Sequence, residues 1–415
     1  MRFFLFAIVL GLTACAYAEL DALPDKAASY PLPYYAEFCA LAEIHQRPGF
    51  PVEVKTVGPG GHSTLYLNGA CRDTDAHYPV LKLCAPGDSE EGVGLSVNAH
   101  FRNAQWVATP GRDFFYRGDL PQGARLTRDI YAATQDRAEA LGIYDGVIFT
   151  EAAMADKPAG IGDRDYMYAV SVGTDYATDY ARKRYCARVP LSQTQMQKIV
   201  AYLNDLNRPY RTGEKTFTWN LFENNCTHMV HNALAAAQVW AAWSTDRFVL
   251  FSLFDFPVPA NEFVNLMQRT NDLDLSDLEG LYADKDARAD LMENDSLPTQ
   301  PLALADAATV IPDNDVYETR SDLIFYDIPY GPYQTAFRDI FSAPRYVSPR
   351  ANLAYFLWLY GKIEAEKKPL AAYAEARGDD RENFTTFYHR YYDYIDRMRS
   401  ETERKLNASA AEQSP

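Results

Sequence analysis

After its first dozen residues the sequence has no long apolar run. A helix needs about 20 predominantly apolar residues to cross a bilayer. The nearest approach, Phe248 to Phe256, is interrupted by Asp255 and closed by Pro257 and Pro259. There is no internal repeat, which excludes solenoid and propeller architectures. Positive charge is in deficit: 40 Lys and Arg stand against 56 Asp and Glu, a net charge of −16. That balance argues against a nucleic-acid partner and against simple electrostatic adhesion to an anionic membrane. The pair His228-x-x-His231 lacks the glutamate of a zincin and a third ligand, so no zinc site is expected there. Nothing else in the sequence calls for a metal or a cofactor.

What is present begins with an export signal. Met1-Arg2 precedes the apolar run Phe3 to Leu12, and small residues follow. One positive charge, a short apolar stretch and small residues form the layout of a cleaved signal, expected here over residues 1–18. Two cleavage readings stay open. Leu12-Thr13-Ala14-Cys15 has the form of a lipobox, which would leave lipid on Cys15, whereas Ala16-Tyr17-Ala18 fits the A-x-A site of the ordinary peptidase. Any membrane contact is expected through a lipid anchor on Cys15 or through apolar surface.

Apolar residues make up 47% of the chain and charged residues 23%, a globular balance with enough length for a sizeable core. Residues 19–45, with three prolines before residue 35, read as a tether. Val52 and Val54 suggest a strand over 51–56, followed by a turn at Gly58 to Gly61. His62 to Leu67, Gly92 to Phe101, Tyr166 to Val172 and Tyr185 to Val189 also read as strands. Ser192 and Gln195 form a capping box, with Leu191 and Met196 as a staple, for a helix that Pro209 closes. A second helix opens at Asn224-Asn225-Cys226, with Met229, Val230, Ala233, Leu234 and Ala237 as its apolar stripe. Residues 270–316 are Asp-rich and without strong periodicity. Residues 351–405 are helical and rich in tyrosine, which suggests an amphipathic cover, and the tail 408–415 reads as disordered. The resulting division is a domain over 46–245 and a mainly helical C-terminal region over 246–407.

Chemistry concentrates at Cys226. A cysteine at a helix N-terminus meets unpaired backbone N–H groups and the positive end of the dipole, both of which favour a thiolate. A nearby histidine would complete a nucleophilic pair. At about 100° per residue, His228 lies about 200° and His231 about 140° round the helix from Cys226, so neither shares its face. His62, at the mouth of a strand after a glycine-rich turn, is the better partner. Asn98 and His100 are candidates to orient its ring. The Cys226 backbone N–H would hold an oxyanion, with Asn225 either assisting or acting as a plain helix cap. With Cys226 free, Cys39, Cys71, Cys84 and Cys186 allow two disulfides in three pairings, Cys71 with Cys84 first; four buried thiols are the alternative.

The order of these motifs resembles a known family. Gly61-His62-Ser63-Thr64-Leu65-Tyr66 is similar to a Gly-His-Thr-x-Leu opening. Leu95-Ser96-Val97-Asn98-Ala99-His100, Thr109-Pro110-Gly111-Arg112-Asp113-Phe114 and Val189-Pro190-Leu191-Ser192 match its next segments, and Glu223-Asn224-Asn225-Cys226-Thr227-His228 its Glu-Asn-Cys-Ser-Tyr motif. The family is the one named for the N-terminal periplasmic domain of the lipoprotein N-acyltransferase Lnb, within the circularly permuted papain-like, NlpC/P60-type thiol enzymes. The resemblance covers roughly residues 50–245. The cysteine-bearing insert between Tyr66 and Leu95 has no counterpart in it, and the membrane helices that follow this domain in Lnb-type enzymes are missing.

It implies an α+β permuted papain-like fold, an antiparallel sheet packed on helices, with Cys226 as nucleophile and His62 as base. It also implies a location in the bacterial periplasm or outer membrane. The expected activity is acyl transfer or acyl hydrolysis on a lipid or lipoprotein through a thioester. A cell-wall peptidase or amidase acting on a peptidoglycan-derived substrate, and a non-catalytic envelope binding protein, are the alternatives.

Overall fold

A computed structural model describes residues 32–54, 61–84, 92–180, 182–221, 223–244, 258–308, 311, 313–318, 323–374 and 377–411. Cys15, the Gly58 to Gly60 part of the expected turn and the Phe248 to Phe256 stretch lie outside these residues. The architecture is mixed α+β around one antiparallel sheet. Its strands are β1 (Tyr35–Leu41), β2 (His62–Asn68), β5 (Val93–Ser96), β6 (Val107–Pro110), β7 (Arg184–Pro190) and β8 (Leu304–Ala308), in the order β6-β5-β2-β1-β7-β8. β3 (Ala70–Arg72) and β4 (Leu81–Leu83) form a separate hairpin, tied by a Cys71–Cys84 disulfide, the pairing expected first.

The segment read as a tether contains a central strand. All seven residues of β1 are buried, because helices and loops cover both faces of the sheet. Ala36, Phe38 and Ala40 enter the main core, while Tyr35, Cys39 and Leu41 join a second cluster with Tyr66, Phe115 and Cys186. A strand buried on both faces shows no polar alternation, which hid it in the sequence. The register sets Cys39 opposite Cys186, and the two are bonded.

Other expectations need correction. Residues 51–54 form bends and coil. β5 ends at Ser96, and the chain turns away where Asn98 accepts the His100 backbone N–H. Tyr166 to Val172 belongs mainly to a helix, Asp163–Ser171. Alternating Tyr166, Tyr168 and Val170 imitate a strand, but Asp163 and Asp165 in the first turn suit the positive end of a helix. The helix Gln193–Arg211 carries the expected Ser192–Gln195 capping box, yet Pro209 sits inside its last turn.

The division at residue 245 does not hold. β8 comes from the C-terminal region and completes the sheet beside β7, and the helix Pro259–Asn271 buries Phe263, Val264, Leu266 and Met267 in the main core. The tyrosine-rich helices Pro349–Ala365 and Arg381–Ala411 build their own core from Phe356, Tyr360, Phe387, Tyr391 and Ile395. The last helix runs through Ala411, past the expected disordered boundary; alanine is the best helix former. Among the described residues no helix is long and apolar enough to cross a membrane.

Candidate active site

β2 starts where Gly61 adopts a φ of 79°. A side chain there would run into the Leu41 carbonyl, so glycine lets the chain enter the sheet beside β1. From there Ser63, Leu65 and Leu67 face the helix Cys226–Ala236, whose stripe Met229, Val230, Ala233 and Leu234 is fully buried with them. Asn225 caps that helix: its Oδ1 accepts the His228 backbone N–H at 3.1 Å, and its Nδ2 donates to the Leu221 carbonyl at 2.8 Å. The cap brings the Cys226 thiol to the start of β2, where Sγ accepts the Ser63 backbone N–H at 3.4 Å. A 2.9 Å hydrogen bond between the Ser63 and Thr227 hydroxyls holds the two elements together. Among the described cysteines Cys226 alone is free.

His62 has the opposite strand parity from Ser63. Its Nε2 lies 2.9 Å from Ser96 Oγ. The Ser96 hydroxyl has only acceptors on its other side, Asp175 Oδ1 at 2.8 Å and the Thr174 carbonyl at 3.0 Å. If an ionised Asp175 takes the hydroxyl hydrogen, Oγ accepts from a protonated Nε2. In that tautomer the ring lone pair is on Nδ1. Asp175 Oδ2 accepts from Asn98 Nδ2 at 3.1 Å and from the Tyr144 hydroxyl at 2.8 Å.

The site residues thus separate. Cys226 and His62 flank one backbone amide, but among the described residues no hydrogen bond joins them. Asn98 reaches the histidine only by way of Asp175 and Ser96. His100 is elsewhere: its ring packs on Phe149 at 5.6 Å, and among the described residues its buried Nδ1 has no hydrogen-bond partner. Asn225 is committed to the cap, with its Oδ1 on the His228 N–H and its Nδ2 on the Leu221 carbonyl. The helix phase argument against the neighbouring histidines agrees with their partners. His228 contacts Asn225, and His231 is stacked between Trp240 and Trp243 with Glu262 at 2.5 Å.

Burial dominates the electrostatics. It raises the Cys226 thiol pKa above the ordinary value, against the Ser63 and Thr227 hydrogen bonds. It lowers His62 to about 3, with the Arg182 guanidinium adding to the effect. The resting pair is therefore a neutral thiol and a neutral imidazole, not the expected thiolate and imidazolium. Arg182 is itself fully buried. Its pKa falls to about 10 through burial, and the neighbouring ionisable groups Tyr317, Cys226, Asp179 and Asp175 oppose that fall. Its Nη1 donates to the Ala42 carbonyl at 3.1 Å and Nη2 to that of Gly173.

Ser96, Asp175 and Arg182 were missed by sequence reasoning. Ser96 had a signal, since it shares strand parity with Asn98; Asp175 and Arg182 had none. Glu37, Cys39 and Cys186 form the cluster of metal-ligand type among the described residues, but its two sulfurs are bonded to each other. No family model, curated protein or solved structure matches the chain.

Proposed function

We propose that this protein is an exported cysteine-dependent acyl-transfer enzyme, an acyltransferase or acyl hydrolase acting on lipid or lipoprotein. The observation that carries the reading is the free Cys226 thiol at a helix N-terminus, held by the amide next to His62. In the proposed reaction His62 Nδ1 takes the thiol proton and Sγ attacks the acyl carbon. The tetrahedral oxyanion meets the N–H groups of the first helical turn. Its collapse breaks the bond to the leaving group, which takes the proton from His62, and leaves a thioester. Water or an amine then attacks the thioester carbon, and the sulfur leaves and regains its proton.

The early Gly61-His62 strand and the later Asn225-Cys226 helix support the resemblance to permuted papain-like, Lnb-type domains. Two disulfides beside one free thiol support an oxidising compartment such as the periplasm. A second reading, a binding protein that keeps the fold without the chemistry, is favoured by the missing direct bond between His62 and Cys226.

Intact-mass spectrometry after incubation with phospholipid or with muropeptide tests the proposal. An acyl adduct from phospholipid that Cys226→Ser abolishes is the expected result. An adduct from muropeptide alone would move the assignment to cell-wall chemistry. Absence of both adducts in folded protein would leave the binding reading.

A further inference from the structure

The site holds a buried acid that the thiol chemistry above does not use. Asp175 is 0% exposed. Its two oxygens are spoken for by neutral donors: Ser96 on Oδ1, Asn98 and Tyr144 on Oδ2. Its backbone is pinned as well, with the carbonyl accepting the Thr109 hydroxyl at 2.9 Å. The titratable or charged groups around it are Tyr144, Tyr176 and Arg182, and His62 beyond Ser96. None of them forms a salt bridge with it among the described residues. A carboxylate placed so, without a cation in contact, is an expensive way to hold a loop.

The direction of the chain of hydrogen bonds suggests its use. An ionised carboxylate only accepts, so it draws the Ser96 hydroxyl hydrogen toward itself. The Thr174 carbonyl draws the same way. Ser96 Oγ is thereby left as an acceptor at 2.9 Å from His62 Nε2. We propose that Asp175, acting through Ser96, is the positioning residue that holds His62 as the Nε2–H tautomer and so leaves Nδ1 as the base for Cys226. The proposal rests on the acyl-transfer reading for the role of Nδ1, but the tautomer itself does not depend on it.

Burial raises the Asp175 pKa to about 6, against the hydrogen bonds of Ser96, Tyr144, Asn98 and Ser171. The folded chain therefore binds a proton there more readily than the unfolded chain. Between the ordinary carboxylate range and pH 6 stability falls as pH rises, and above pH 6 the full cost of the buried charge is present. A positioning role and a structural role now predict opposite behaviour for Asp175→Asn. The amide removes the buried charge, so the positioning role predicts an unchanged or higher melting temperature at pH 8 together with slower chemistry.

The experiment uses the full chain and p-nitrophenyl butyrate as acyl donor, following nitrophenolate release. Nitrogen-15 NMR of the imidazole at pH 7.5 should find a proton on Nε2 and none on Nδ1. Ser96→Ala and Asp175→Asn should each slow saturated acylation about 10–100-fold without changing the half-saturating concentration, by analogy with removing the outer hydrogen-bond partner of a metal-bound histidine. Ser96→Thr should restore the rate. The acid limb of the wild-type profile near pH 6 should be missing in Asp175→Asn. A proton on Nδ1 overturns the proposal. So does an Asp175→Asn variant that keeps wild-type acylation and its acid limb, or one whose melting temperature at pH 8 drops in step with activity. If no nitrophenolate is released by the wild type, the acyl-transfer reading fails, while the NMR result still decides the tautomer.

Discussion

Ser63 gives its backbone N–H to the Cys226 thiol across 3.4 Å, although 163 residues separate them in the chain. One peptide unit earlier, the His62 ring turns the other way and anchors on Ser96. The buried thiol is held as SH because desolvation outweighs the hydrogen bonds it receives from Ser63 and Thr227, which has direct consequences for its reactivity.

Cys226 is therefore expected to alkylate slowly with iodoacetamide at pH 7 and faster as pH rises beyond the ordinary thiol range of about 8.5. Denaturant should abolish the protection. His228→Ala and His231→Ala should leave the folded profile unchanged, since their rings serve the helix cap and the tryptophan stack. Rapid alkylation below pH 7 in folded protein would mean a thiolate–imidazolium pair at rest.

His62 predicts a stability profile. Its folded pKa, about 3, lies below the ordinary value of 6.5. Between these values the unfolded chain binds more protons, so stability falls as pH drops from about 6.5 toward 3. The change is on the order of several kcal/mol at about 1.4 kcal/mol per pKa unit. Urea titrations of wild type and His62→Gln from pH 7 to 4 should give a shallower decline for the variant. Parallel declines would show that the imidazole is not buried as described.

The cap reading of Asn225 separates from an oxyanion role by a conservative exchange. Asn225→Asp keeps an acceptor for the His228 N–H but loses the donor to the Leu221 carbonyl, so it should lower thermal stability while acylation by the folded protein stays near wild type. Asn225→Ala should cost about 1 kcal/mol, the usual worth of a cap. A loss of about 100-fold or more in acylation by a well-folded Asn225→Asp would instead assign its amide to the oxyanion.

The two disulfides should differ in weight. Cys39–Cys186 closes a separation of 147 residues and Cys71–Cys84 one of 13. Loop entropy alone makes the first worth about 2 kcal/mol more. Replacing Cys39 and Cys186 together by alanine should lower the urea midpoint well beyond the same change at Cys71 and Cys84. An equal or reversed order would show that the long link adds little to what the β1–β7 pairing already supplies.

The sequence by itself determined what is local. Ser192 and Gln195 mark a helix start because capping is settled within four residues. Asn225 and Cys226 mark another for the same reason, and helical phase was enough to set His228 and His231 apart from the thiol. The Cys71–Cys84 pair needed only a nearby hairpin. Tertiary structure decided the rest. β1 carries no alternation because both its faces are covered, and only the sheet register could put Cys39 opposite Cys186. Asp175 meets Ser96 across 79 residues, in a turn with no pattern of its own. The protonation of Cys226 and His62 is the clearest case. A helix N-terminus and a neighbouring histidine favour an ion pair, and those can be read along the chain. The desolvation that outweighs them comes from residues folded in from the whole chain, and it exists only once they are packed.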